Sequence, residues 1–205
     1  MTAISQWLNK ASFTYTSIYA LVSFRILFGI MMFFSTLRFI LNGWVFDLYI
    51  APKYHFTYYG FDWVQPAGAS GMYLLFGLLI ILSIFIAAGL FYRLSAIAFF
   101  CIFTYIELID KTNYLNHYYF ISLISFLLIF LPANRYFSID TYLGLTKRTK
   151  KVQVWTINIL KFQLAVVYIF AGISKLNYHW LFEAQPLTNW LKHQSDLPLI
   201  GGLME

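Results

Sequence analysis

The chain has 205 residues, of which 60% are apolar, 21% aromatic and only 11% charged, and its mean hydropathy is +0.69. About a quarter of an ordinary soluble domain is charged, and a water-soluble globule of this size could not hide so much apolar surface. Composition therefore excludes disorder, collagen, a disulfide scaffold and an ordinary soluble enzyme, and leaves an integral membrane protein. The net charge of +6 arises from Lys and Arg spread over loops between apolar runs, a pattern that sets topology rather than one that binds nucleic acid. Cys101 is the only cysteine, so no intrachain disulfide is possible.

Residues 1–17 form a short amphipathic lead with Trp7 and Leu8, suited to the membrane interface. A membrane span needs about 20 mostly apolar residues. Such runs occur at 18–41, 71–91, 94–109 (somewhat short), 114–131 and 155–174. The first is too long for a signal-peptide core and lacks a small-residue cleavage site, so it is retained. Tyr92 and Arg93 alone separate the second and third runs, which predicts a tight helical hairpin. A long aromatic loop fills 42–70, a basic loop fills 132–154, and a polar mixed tail follows 177. The fold class expected is all-α: a polytopic helical bundle with about five transmembrane helices. The tail stops at Gly-Gly-Leu-Met-Glu without a closing motif, and reads as the cut end of an amino-terminal part of something longer.

Lys10, Arg93, Arg135, Lys147, Arg148, Lys150 and Lys151 fall on one side of this topology; Lys53, Lys111, Lys175 and Lys192 fall on the other. The positive-inside rule makes the first side cytoplasmic, with the amino terminus inside and the aromatic loop outside. The stretch from Asp110 to His117 and Lys175 then share the external side.

Three groups of residues could carry chemistry. Between the third and fourth spans lies Asp110-Lys111-Thr112-Asn113-Tyr114-Leu115-Asn116-His117. Asp110 or Thr112 could cap the fourth helix, and Asn113 and His117, four apart, would share a helical face. The plainer reading is a hydrogen-bonded turn that stitches helices together. At the end of the fifth span, Gln163, Val167, Ala171 and Lys175 repeat at four-residue spacing. Lys175 is either a snorkelling surface lysine or, in a dry cavity, a neutral amine able to take a proton from a phenol-like substrate. In the aromatic loop, six of the ten residues from Tyr54 to Trp63 are Phe, Tyr or Trp. They form either an interfacial belt or a lid over a flat ring substrate, for which Tyr58 and Tyr59, with Tyr168 in the fifth span, are the expected contacts.

Arg25 and Arg38 in the first span and Lys161 in the fifth are charges within apolar runs. Arg38 and Lys161 are close enough to helix ends to snorkel, whereas Arg25 is roughly 10 Å from the nearer edge and calls for a partner on another helix. His55, His117, His179 and His193 make no metal pair at helical spacing, and no CxxC, HExxH, GxSxG or phosphate loop occurs. No metal is expected.

Five stretches resemble the vitamin K-dependent gamma-carboxylase family in its bacterial HTTM-domain branch. They are Ser23-Phe24-Arg25-Ile26-Leu27-Phe28-Gly29, Leu90-Phe91-Tyr92-Arg93-Leu94-Ser95, Asp110-Lys111-Thr112 with Asn116-His117, Ala133-Asn134 with Ser138-Ile139-Asp140, and Ala171-Gly172-Ile173-Ser174-Lys175-Leu176. They occur in family order. The resemblance implies an HTTM-type transmembrane domain over 18–190, followed by a truncated segment at 191–205. It implies a membrane enzyme in a bacterial inner membrane that oxygenates vitamin K hydroquinone, or another quinol, to an epoxide, using O2. In the family this reaction drives capture of CO2 by the γ-carbon of a protein glutamate.

The resemblance makes Lys175 the base that deprotonates the quinol, and His117, with Asn116 beside it, the partner that stabilises charged intermediates. The implied partners are the bilayer, the quinol and a glutamate-containing protein. Ser174 stands where some relatives carry a second lysine, and the inter-span disulfide of animal members cannot form with Cys101 alone. A rival reading, from another class, is a non-catalytic membrane module that binds a lipid, a quinone or a partner protein. A transporter is a weaker third, since no pair of broken mid-membrane helices is evident.

Overall fold

The computed structural model describes residues 14–184. Five apolar helices dominate: α1 (Tyr19–Leu41), α2 (Gly68–Ala88), α3 (Tyr92–Ile109), α4 (Asn116–Phe130) and α5 (Trp155–Ser174). Four of them, α1, α2, α3 and α5, are long and apolar enough to cross a membrane. At 15 residues, α4 is about 22 Å long, shorter than the hydrocarbon layer of about 30 Å. The protein is an all-α integral membrane bundle. The chain divides into two compact units, 1–160 and 161–205, each described by itself.

The first unit is built on α1. Its buried positions, Leu21, Val22, Arg25, Phe28, Gly29, Met32, Thr36 and Phe39, recur every three or four residues and form one stripe. Gly29 lets α2 come close: a Cβ there would lie 2.6 Å from the Ser83 carbonyl oxygen and 2.7 Å from the Ala87 nitrogen. Where lipid surrounds the helices, such backbone-level packing supplies the association that the hydrophobic effect cannot. Farther along the same interface Phe39 stacks on Phe76, with centroids 5.0 Å apart. The opposite faces carry exposed Leu27, Ile30, Met31, Phe34, Leu74, Ile81 and Ile84, as a lipid-facing surface requires.

The hairpin between α2 and α3 is a residue longer than the sequence reading, because α2 ends at Ala88. Gly89 closes it with φ +67°. Its N–H donates to the Ile86 carbonyl at 3.1 Å, and the Leu90 N–H donates to the Phe85 carbonyl at 2.9 Å, the paired bonds of a Schellman cap.

Arg25 fills the space beside this turn. It is fully buried, with Nη1 donating to the Ala133 carbonyl at 3.3 Å and Nη2 to the Phe137 carbonyl at 2.6 Å. Asp140, also buried, accepts from the N–H groups of Phe91 (2.7 Å) and Tyr92 (3.1 Å) and from Asn134 Nδ2 (2.7 Å). The carboxylate thus caps α3 from 48 residues away, where the helix dipole favours negative charge. The Tyr92 hydroxyl donates to the Leu128 carbonyl at 2.8 Å and ties in α4.

A Cβ at Gly89 would collide with the Arg25 guanidinium and would lie 2.5 Å from the Ser138 Cβ. Gly89→Ala combines that collision with a left-handed φ, which alone costs an L-residue about 1–2 kcal/mol. The expected loss is about 3 kcal/mol, read as a lowered unfolding midpoint in detergent.

Two short strands escaped the sequence reading. Tyr15–Ser17 (β1) pairs antiparallel with Lys151–Gln153 (β2), Thr16 facing Val152. β1 occupies the end of the segment read as an amphipathic lead, of which 1–13 lies outside the described residues. β2 occupies the end of the basic loop, which also holds a helical turn, Ile139–Tyr142. Strands of three residues are too short to show a period of two.

Candidate functional site

At the far end of α3 from the hairpin, Asp110 leaves the helix in an extended conformation. Its Oδ1 accepts from the Thr112 N–H (2.9 Å) and hydroxyl (2.7 Å), capping the single 3-10 turn Lys111–Asn113. Its Oδ2 lies 3.2 Å from His55 Nδ1, and the Lys111 N–H donates to the Phe56 carbonyl at 2.8 Å. Asp110 therefore pins the aromatic loop to the bundle rather than capping α4, whose N-cap residue Leu115 makes no side-chain cap bond.

Burial raises the Asp110 carboxyl, but the bonds from Thr112 and His55, with a backbone contribution from Phe56, outweigh it and hold the group below its usual range. A lowered folded value means stability that is fully present above the ordinary value of about 4 and is lost as pH falls through the folded one. The hydrogen-exchange protection factor of the Lys111 amide is expected to hold at neutral pH and fall in that acidic window.

The rest of the polar cluster is not drawn inward. The chain passes through extended Tyr114 and Leu115, so α4 begins only at Asn116 and the four-residue spacing of Asn113 and His117 is not helical. Asn116 and His117 sit exposed in its first turn, with the His117 ring edge-on to Tyr118 at 4.6 Å.

The aromatic loop is divided. Tyr59 is wholly exposed, and Tyr54 and Trp63 are largely so, as in an interfacial belt. Tyr58 is half-buried; burial first, and then the nearby Glu107 carboxylate, hold its phenol above the usual range, so it stays a neutral donor. The Tyr105 hydroxyl donates to the Gln65 carbonyl and secures the loop's far end to α3.

Tyr58 and Tyr114 stand at one end of a crevice of about 550 Å³ between α3 and α4, whose other walls include Phe100, Tyr119, Leu123 and Phe126. Thr104 and Glu107 line the same crevice. The Thr104 hydroxyl is buried without a partner among the described residues. Glu107 also lines a smaller cavity of about 30 Å³ with Ser35, Thr36, Tyr49 and Tyr118. The sequence reading weighed the basic residues in the spans and passed over Glu107. The signal was present, for Glu107 is the only carboxylate in the five apolar helices.

In the second unit, Lys175 follows the last turn of α5. It is exposed, its N–H donates to the Gly172 carbonyl at 3.1 Å, and its Nζ lies 4.9 Å from the centroid of the Trp180 ring, within cation–π range. Asn177 Oδ1 accepts from the Trp180 N–H at 3.0 Å and sets the turn that carries the indole. Tyr168 is exposed on α5. Among the described residues no cluster of three or more His, Cys, Asp or Glu could hold a metal ion.

The family model for the HTTM domain matches residues 13–205. No solved structure matches the chain.

Proposed function

The chain belongs to the HTTM domain family, and on that premise we propose that it is a vitamin K-dependent gamma-carboxylase-like membrane enzyme that oxygenates a hydroquinone to its epoxide. The observation that carries the reading is the α3–α4 crevice. An apolar, aromatic-walled cleft with a few converging polar groups is the usual form of a small-molecule site, and about 550 Å³ accommodates a fused ring and the start of an apolar tail.

Lys175 is the base that removes a hydroquinone proton. His117, with Asn116 beside it, donates hydrogen bonds to the oxyanion that results, and Tyr58, Tyr59 and Tyr168 contact the ring. The hydroquinone supplies four electrons and O2 accepts them, two in oxidation to the quinone level and two in formation of the epoxide; one oxygen atom enters the epoxide and the other leaves as water. Coupled carboxylation of a glutamate side chain by CO2 is the family's outcome and the further step of this proposal. We place the protein in a bacterial inner membrane with a cytoplasmic amino terminus. The site then faces outward, where a protein substrate can approach, and the quinol enters from the bilayer.

A second reading, a non-catalytic module that binds a lipid, a quinone or a partner, draws on the exposure of Lys175 and its contact with Trp180. The two are separated by supplying reduced vitamin K and oxygen to the purified protein in lipid. Epoxide above the protein-free rate is expected of the enzyme. A folded sample that forms none supports the module.

A further inference from the structure

The crevice has chemistry that the proposed reaction does not use. Glu107 is an acidic group on an apolar helix, and among the described residues it has no ion-pair or hydrogen-bond partner within bonding distance. Acidic groups in such a setting mark binding or transfer sites. Thr104, one turn deeper, is also polar and lacks a partner for its hydroxyl. A hydroxyl in an α-helix commonly bonds back to the preceding turn, as Ser83 does to Leu79 at 2.6 Å; Thr104 does not.

Around these two stand aromatic rings, those of Tyr58, Phe100, Tyr114 and Phe126 among them. A second crevice of similar size, about 510 Å³ between α1 and α4, is walled by Phe24, Leu27, Met31, Phe120 and Ile124 and has no polar side chain. An acyl chain suits that one. Of these two crevices, the one between α3 and α4 offers a carboxyl acceptor among aromatic rings, and the complementary ligand is a flat ring bearing a hydroxyl donor.

We infer that Glu107 is the hydroxyl-recognition residue of a binding site for membrane-soluble phenols, with the ring lying between α3 and α4 and its O–H donating to the Glu107 carboxylate. Naming a hydroquinone as the natural member of that class rests on the proposed function; the site itself rests on the crevice. Because Glu107 stands in the last turn of α3, three residues before Asp110, it is about 4–5 Å from the helix end. A ring held there has its hydroxyl near the interface and its tail directed toward Phe100 and Phe126.

The test uses a photoreactive naphthol and its methyl ether, each with the full chain in lipid nanodiscs, with labelled peptides mapped by mass spectrometry. The naphthol is expected to label the α3–α4 walls about tenfold more than the ether does, the effect of one hydrogen bond to a desolvated acceptor, while both label the α1–α4 crevice equally. Glu107→Leu is expected to abolish the preference, and Glu107→Gln, which keeps an acceptor and the shape, to retain part of it. Equal labelling by naphthol and ether, or no labelling of α3 and α4, overturns the inference; so does an unchanged preference in a folded Glu107→Leu protein. Selective labelling in a protein that forms no epoxide would leave this site standing and remove the enzymatic reading, whereas epoxide without selective labelling would do the reverse.

Discussion

Asp140→Ala is expected to lose about 3–5 kcal/mol, enough to prevent accumulation of folded protein. One carboxylate satisfies three donors from two segments: the Phe91 and Tyr92 N–H groups and Asn134 Nδ2. Its removal leaves them unpaired in buried or part-buried positions and takes a nearby negative charge from the buried Arg25, which keeps its two carbonyl partners. Breaking a buried charged network by removing one member costs more than the network is worth against an apolar substitute. Asp140→Asn keeps one acceptor oxygen but turns an amide donor toward an N–H group, so an intermediate loss is expected. The measurement is the unfolding midpoint in mild detergent. An Asp140→Ala protein as stable as the parent would mean that the knot is incidental to the fold.

Lys175→Ala is expected to reduce epoxide formation by about 10²–10⁴-fold, the range general-base catalysis contributes. Lys175→Arg should be nearly as inactive, since a guanidinium does not give up its proton near neutral pH. Lys161→Ala, on the helix that precedes Lys175 and exposed, should retain the parent rate. Small primary amines restoring part of the Lys175→Ala rate would identify the missing group as a proton acceptor. A Lys175→Ala protein with the parent rate would remove Lys175 from the mechanism.

The five apolar helices were legible because long apolar runs have few alternatives, and their limits moved by only a few residues. The meaning of Arg25 was legible only in part. Its burial depth called for a partner, and the partners proved to be loop carbonyls at Ala133 and Phe137, which no side-chain pattern announces. That knot also gives a physical reason for four short stretches to occur together. Ser23 to Gly29 supplies Arg25 and Gly29; Leu90 to Ser95 supplies the α3 start; Ala133-Asn134 supplies one acceptor for Arg25 and a donor to Asp140, and Ser138 to Asp140 supplies the cap.

The polar cluster was misjudged at its start, because helical spacing was applied across Asp110 to Leu115, where the chain is a 3-10 turn and an extended pair. His55 and Asp110 are 55 residues apart, a pairing invisible to local pattern. Glu107 is legible in the sequence as a carboxylate within an apolar run, among spans whose other charges are basic.

The most direct measurement is of oxygen itself. Purified protein in lipid receives reduced vitamin K under ¹⁸O2, and the product is analysed by mass spectrometry. The account predicts epoxide carrying one ¹⁸O atom, formed faster than in the heat-denatured control and slowed by Lys175→Ala. Only unlabelled quinone, at the rate of the denatured control, from a sample shown to be folded would contradict it.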